Sequence, residues 1–299
     1  MNSQFKGTAV ALATPFDDKK NIDFNALERL VNHCLEGEVE TLVVLGTTGE
    51  STSLSIEEKH AVLDFVIKVN NRRANLVAGF GGNNTKTVIA SIQSYHFKGI
   101  DAILSVSPAY NRPSQEGIYQ HFMAIEFASP CPIILYNVPG RTGSNMTAET
   151  TLRLAKASSK FIAVKEASGN LTQCMKIVQG KPKDFLVFSG DDNLTLPMLS
   201  LGMDGVISVV ANAYPRMFSK MVRLGLQGDF ATAQLLHYRL LKIINLLFAE
   251  GNPAGVKAVL EQLNICSQNL RSPLNPISER LLNKMRKEMV VIASSEKRI

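Results

Sequence analysis

Lys165 has the residue type and setting in this chain that most directly suggest chemistry. It follows four apolar residues, Phe161-Ile162-Ala163-Val164, and so caps a run that reads as a buried strand. Burial disfavours an ammonium, and a neutral amine can attack a carbonyl carbon to form an imine. The competing role is a lysine that reaches solvent or pairs with an acid. Glu166 is a poor partner, because successive strand residues face opposite ways. A lysine at a strand end also binds phosphates and carboxylates, so position alone leaves the choice open. Tyr136 ends the preceding apolar run and could relay protons to an imine nitrogen, or could be a core tyrosine with a satisfied hydroxyl. Thr47-Thr48, flanked by Gly46 and Gly49, offers hydroxyls and backbone amides to a carboxylate, or equally a helix N-cap. Arg141, after Pro139-Gly140, could grip a carboxylate with both arms or be a surface arginine.

Asp191-Asp192 raises a divalent metal as a further reading. Only Glu50 joins them at another strand end, and His33, His60, His96, His121 and His237 all fall in segments that read as helices. Asp192 is therefore expected to cap a helix. No metal is expected, and no cofactor beyond a covalent imine.

These residues sit at the ends of eight apolar runs: Thr8–Ala13, Thr41–Gly46, Asn75–Phe80, Asp101–Val106, Pro132–Val138, Phe161–Lys165, Phe185–Gly190 and Gly205–Val210. Runs without polar alternation read as strands buried on both faces. Between them lie segments of helical period. Leu27, Leu30, Val31 and Cys34 share one face of 25–35, and Ser55 with Glu58 has capping-box spacing, of which Thr147 shows only part. Gly37, Gly99 and Gly180 stand where C-cap glycines do. Strict alternation implies right-handed crossovers and parallel strands. Eight units predict a TIM (β/α)8 barrel over residues 1–228, and a doubly wound sheet is disfavoured by that count and by the missing GxGxxG. Residues 229–299 are expected to add a small C-terminal helical region, with helices at 230–250, 253–263 and 276–291. A barrel places its chemistry at the C-terminal ends of strands, where the residues above lie.

Bulk properties narrow the setting. A 299-residue chain with 45% hydrophobic residues can bury a sizeable core. Its net charge of +6 is not clustered along most of the chain, which argues against nucleic acid. Residues 271–299 do hold seven Lys/Arg (Arg271, Arg280, Lys284, Arg286, Lys287, Lys297, Arg298) against three Glu, a pattern that fits a solvated helix face. Four scattered cysteines without CxxC fit a reducing cytoplasm rather than disulfides or zinc. There is no signal-peptide pattern and no run of the roughly 18 apolar residues a membrane helix needs.

Taken in order, the strand-end motifs make the chain resemble the dihydrodipicolinate (4-hydroxy-tetrahydrodipicolinate) synthases of the N-acetylneuraminate lyase superfamily. The resemblance runs from Thr14-Pro15-Phe16 through Gly46-Thr47-Thr48-Gly49-Glu50, Tyr110-Asn111-Arg112-Pro113, Tyr136-Asn137-Val138-Pro139, Lys165-Glu166-Ala167, Gly190-Asp191-Asp192 and Gly205-Val206-Ile207-Ser208 to Asn252-Pro253. It implies that Lys165 is a Schiff-base lysine and that Tyr136 relays protons to it. Thr47 would link Tyr136 to a second tyrosine, Tyr110, inserted from a neighbouring subunit. Thr48, Gly190 and the carbonyl of Ile207 would hold the carboxylate end of pyruvate. Arg141, which distinguishes synthases from neuraminate lyases, would hold the carboxylate of L-aspartate 4-semialdehyde. A homotetramer built as a dimer of tight dimers is the implied assembly. A related aldolase acting on a sugar-derived 2-keto acid and a non-catalytic pyruvate-binding barrel are the alternatives. Arg141 opposes the first, and the intact lysine and tyrosines oppose the second.

Two departures stand out. Lysine-sensitive members tend to carry histidine, glutamate and an aromatic residue where this chain has Ile56, Thr87 and Ala109, although Ser51 and Asn83 are kept. Weak or absent lysine inhibition is expected. Glycines at 251 and 255 replace prolines of many relatives, and are expected to loosen that junction.

Overall fold

The computed structural model describes residues 2–296, with side-chain surroundings through residue 294; Lys297 and Arg298 of the basic tail lie outside the described residues. Eight parallel strands close in the order β1 to β8. They are β1 (Gly7–Ala11), β2 (Thr41–Val44), β3 (Asn75–Gly79), β4 (Ala102–Val106), β5 (Ile133–Asn137), β6 (Phe161–Glu166), β7 (Leu186–Ser189) and β8 (Gly205–Ser208). Each expected apolar run contains or overlaps one of them. Around the barrel run α1 (Phe24–Glu36), α2 (Ile56–Asn70), α3 (Thr85–Gln93), α4 (Gln115–Ala128), the single turn α5 (Pro139–Thr142), α6 (Ala148–Ala157), α7 (Leu171–Gly180), α8 (Thr195–Ser200) and α9 (Pro215–Leu226). Then come α10 (Phe230–Phe248), α11 (Ala254–Gln262) and α12 (Glu279–Glu296).

The missing polar alternation has a simple cause: both strand faces are buried. In β1, β2, β5, β7 and β8 every residue is buried. One face fills the lumen with Ala9, Val43, Leu104, Ile134, Phe188 and Ile207. The other packs residues such as Val10, Leu42, Leu135 and Val187 against the helices. Alternation along β5 puts Ile134 and Tyr136 inward, and along β6 it puts Val164 outward and Lys165 inward.

Local signals mostly hold. Ser55 and Glu58 make a reciprocal capping box on α2, and the Thr147 side chain accepts from the Thr150 N–H at the start of α6. Four expectations need correction. Gly99 does not cap α3, which ends at Gln93 with Ser94 as its cap. Gly180 is the last residue of α7, and the cap is Lys181, whose extended backbone suits a residue before Pro182. His96 lies in the bend beyond α3, because that helix ends at Gln93. The 251–255 junction is not loosened by its second glycine. A Cβ on Gly255 would fall 2.1 Å from the Leu247 carbonyl oxygen, so glycine lets α11 approach α10 closely. Gly251, at φ +103°, occupies a conformation that suits glycine.

His121 on α4 gives this fold a pH dependence. The side chain is buried, its Nδ1 lies 2.9 Å from Thr85 Oγ1, and its Nε2 has no hydrogen-bond partner among the described residues. Burial pushes the imidazole down to about 4. Because the unfolded chain titrates near the ordinary value of about 6.5, it takes up the proton first as pH falls. His121 therefore contributes stability fully above that value, and the contribution fades between about 6.5 and 4. Allowing for some solvent contact, the loss is about 2 kcal/mol. Urea midpoints across this range should fall more steeply for the native protein than for His121→Gln. Parallel slopes would refute the assignment.

Candidate active site

The barrel register brings the expected pair together. Tyr136 on β5 and Lys165 on β6 are direct cross-strand partners. Lys165 is only 6% exposed, and its Nζ stands 4.4 Å from the centroid of the Tyr136 ring. No carboxylate lies within ion-pair distance of that nitrogen among the described residues. Glu166 faces the other way, as strand alternation requires. It is fully buried and accepts hydrogen bonds from Asn137 Nδ2, Gln173 Nε2 (2.9 Å) and the Ser168 N–H (2.8 Å). Asn145 bridges Asn137 and Gln173. This polar cluster binds the ends of β5 and β6 to α7 and so holds the strand ends that carry Tyr136 and Lys165.

Gly190 sits against the stem of Lys165. A Cβ there would lie 3.1 Å from Lys165 Cε and 2.4 Å from Ala167 Cβ, so a larger residue would displace the lysine or its loop. Ile207 lies in the same lumen layer, 1% exposed. Thr47 and Thr48 form a 3-10 turn, Thr47–Gly49, braced by Thr14 Oγ1 donating to the Gly49 carbonyl at 2.7 Å. Thr47 and Tyr136 share the lining of a cavity of about 530 Å³ that runs between α2 and α3. Thr48 is buried, and its Oγ1 accepts from Asn252 Nδ2 at 3.0 Å. Arg141, exposed on α5, donates through Nη2 to the Asn252 carbonyl at 3.4 Å.

Tyr110 stands apart from the other expected site residues and does not line this cavity, although its neighbour Ala109 does. It is 89% exposed at φ +70°, and its backbone N–H donates to the Thr142 carbonyl at the end of α5. A larger cavity, about 620 Å³, lies at the opposite end of the barrel among residues such as Gln4, Arg72, Lys98 and Asp101, and holds none of the site residues.

The acids behave differently from expectation. Asp192 is not a helix cap: its Oδ2 accepts the N–H groups of Val209 (3.0 Å) and Val210 (2.8 Å), pinning the turn after β8. Burial pushes its carboxyl up to about 6 against those donors, and burial also raises Asp191. Among the described residues no three His, Cys, Asp or Glu side chains converge on a point that could hold a metal ion. Glu50 is committed elsewhere. Fully enclosed with Lys257 of α11, it accepts from Lys257 Nζ and from the Arg271 N–H at 3.1 Å. Arg271 in turn forks onto Glu58 and lies 4.6 Å over the Phe16 ring, so this member of the basic tail is structural rather than solvated.

The comparisons with known proteins agree with this geometry. Residues 4–292 match the model of the dihydrodipicolinate synthetase family. The chain belongs to that family. It is 52% identical over 281 residues to a 4-hydroxy-tetrahydrodipicolinate synthase of Flavobacterium psychrophilum, covering 94% of this chain and 96% of the relative. Among solved structures, a chloride-inhibited dihydrodipicolinate synthase of Acinetobacter baumannii complexed with pyruvate superposes with TM-score 0.94 at 35% identity, covering 97% of this chain and 99% of that one. A Cyanidioschyzon merolae enzyme with lysine bound superposes with TM-score 0.93 at 37% identity, covering 97% and 99%. The closed eight-stranded barrel and the dihydrodipicolinate synthetase membership are therefore both as the sequence implied.

Reading residues alone missed Asn252 as a contact of both Thr48 and Arg141, and missed Lys257 as the partner of Glu50. Lys257 carried a usable signal: it stands alone among Val256, Ala258, Val259 and Leu260, so a buried counter-charge was required. The Asn137–Glu166–Gln173 cluster carried none, since its members are spread over three elements.

Proposed function

We propose that this protein condenses pyruvate with L-aspartate 4-semialdehyde as a 4-hydroxy-tetrahydrodipicolinate synthase. The observation that carries the reading is Lys165: an enclosed amine without an ion-pair partner among the described residues, beside the Tyr136 ring, in a chain of this family. The amine of Lys165 attacks C2 of pyruvate to give a carbinolamine, which loses water to form the imine. Loss of a C3 proton gives the enamine, with Tyr136 moving protons at the nitrogen and oxygen. The enamine C3 then attacks the aldehyde carbon, whose oxygen takes a proton and remains as the hydroxyl. The substrate's own amine displaces Lys165 from the imine carbon and closes the ring. One water leaves in total, and the lysine is regenerated.

Thr48, Gly190 and Ile207 receive the pyruvate carboxylate in this scheme, and Arg141 the second carboxylate. Thr47 connects Tyr136 to a Tyr110 supplied by a second copy. The near-complete exposure of Tyr110 supports a tyrosine that acts outside its own subunit and, with it, a homo-oligomer, as a tetramer of paired tight dimers. Four free cysteines, three of them buried, support a reducing cytoplasm. No helix among the described residues is long and apolar enough to cross a membrane.

Borohydride reduction in the presence of pyruvate should leave one reduced pyruvyl group on Lys165, read by peptide mass. An unmodified Lys165 would end the proposal. Product formation with the semialdehyde, followed through a coupled reductase, separates this reading from a sugar-directed 2-keto acid aldolase.

Feedback by L-lysine should be weak or absent. The cavity beside Tyr136 includes Ser51, Ile56, Asn83, Thr87 and Ala109, and no Asp or Glu lines it, whereas Lys59 and His60 do. An ammonium entering there meets no counter-charge from this chain. Initial rates should be unchanged at sub-millimolar L-lysine, and inhibition in that range would refute the expectation.

A further inference from the structure

Asn252 joins two separate parts of the site and has a polar atom left over. It lies in the turn between α10 and α11 and is 8% exposed. Its side-chain Nδ2 donates to Thr48 Oγ1, across 204 residues of sequence, and its backbone carbonyl receives Arg141 Nη2. Its Oδ1 is buried without a partner among the described residues.

The direction of the Asn252–Thr48 bond decides what Thr48 can offer a ligand. A threonine hydroxyl has one hydrogen to donate and two lone pairs. With an N–H of the Asn252 amide donating to one lone pair of Thr48 Oγ1, the hydroxyl hydrogen stays free to point elsewhere. With the amide turned over, Oδ1 would take that hydrogen, and Thr48 would present only lone pairs. A carboxylate accepts and cannot donate, so the first arrangement suits it and the second repels it.

We infer that Asn252 is a positioning residue for the 2-oxo acid carboxylate: by donating to Thr48 it commits the Thr48 hydroxyl as a donor, and so makes the site select a charged 2-oxo acid over a neutral ketone of the same shape. The inference rests on the imine reading above. The turn that carries Asn252 reaches the β2 loop with a side chain but reaches Arg141 with a carbonyl. The second link survives any change of side chain, so the two carboxylate sites are separable by mutation.

Asn252→Asp tests this with almost no change of shape. The new carboxylate accepts the Thr48 hydrogen and adds a charge of the wrong sign. Trapping by borohydride is measured against concentration for pyruvate and for pyruvamide, its uncharged analogue. The pyruvate concentration for half-maximal trapping should rise about 10- to 100-fold, the range for a lost bond to a charged group, while pyruvamide shifts by less than about threefold. Asn252→Ala, which removes the donor without adding charge, should shift pyruvate by a smaller factor in the same direction, and serves if the aspartate variant does not fold. In steady state with both substrates, KM for pyruvate should rise more than kcat falls, and KM for the semialdehyde should hold. Equal losses on pyruvate and pyruvamide, or none on either, would overturn the inference and leave the imine reading intact. Failure of the unaltered protein to trap pyruvate at all would overturn both.

Discussion

Lys165→Ala should leave a folded barrel with turnover lowered by about 10⁴-fold or more. That loss corresponds to about 5 kcal/mol of barrier, at about 1.4 kcal/mol per decade. The size follows from the role: without the amine there is no imine, and the remaining site can only hold pyruvate near an aldehyde. Stability should change little. Lys165 Nζ has no contact ion-pair partner among the described residues; its charge favours ionised Asp191 and Asp192 from a distance, and burial, which already raises both carboxyls, lets them take up a proton when it is removed. Coupled turnover and thermal unfolding check the two halves. Lys165→Met, which keeps most of the volume, separates loss of the amine from loss of packing and should be equally inactive. Retention of more than about a tenth of the rate by either variant would be incompatible with covalent catalysis at this position.

The opposite pattern is expected at Lys257. Its Nζ and the Glu50 carboxylate are enclosed together, with side-chain exposures of 0% and 1%. Burial pulls the lysine down and Glu50 holds it up. Lys257→Met keeps the length of the side chain but leaves Glu50 as an uncompensated buried charge, which costs about 3–5 kcal/mol. Thermal unfolding should fall by roughly 6–20 °C. Pairing Lys257→Met with Glu50→Gln removes the stranded charge, so the double variant should be more stable than Lys257→Met alone. A double variant no better than the sum of its singles would show that the two groups act independently. Because Glu50 directly follows the Thr47–Gly49 turn, the single variant should also raise KM for pyruvate, while Lys165 remains trappable at saturating pyruvate.

These two lysines show what could be read before the fold was known. Lys165 announced itself because a buried parallel strand is a continuous apolar run, and a charge at its end has few reasons to be there. The same physics made all eight strands legible to within a residue or two. Lys257 stood in an equally apolar stretch, but its partner lies 207 residues away, and a single sequence does not say which distant acid answers a buried base. Asp192 misled for a related reason. Next to a helical segment an aspartate reads as a cap, whereas here the closed barrel brings the turn after β8 within its reach. Tyr110 is a third case. Its place in a motif was clear, yet one chain leaves it on the surface, 89% exposed, so a single chain does not show what the ring does.

The anchoring of the β2 loop bears on the order in which the protein becomes competent during synthesis. The residues proposed to meet the substrates have all been synthesised by Ile207. Thr48 and Arg141 nonetheless wait for Asn252, Glu50 waits for Lys257, and Glu58 waits for Arg271. A nascent chain that has closed its barrel thus carries every reactive group and lacks the fastenings of its substrate loops. A chain ending between residues 229 and 250 would contain every residue proposed to meet the substrates and would lack Asn252, Lys257 and Arg271, which fasten the loops that carry them.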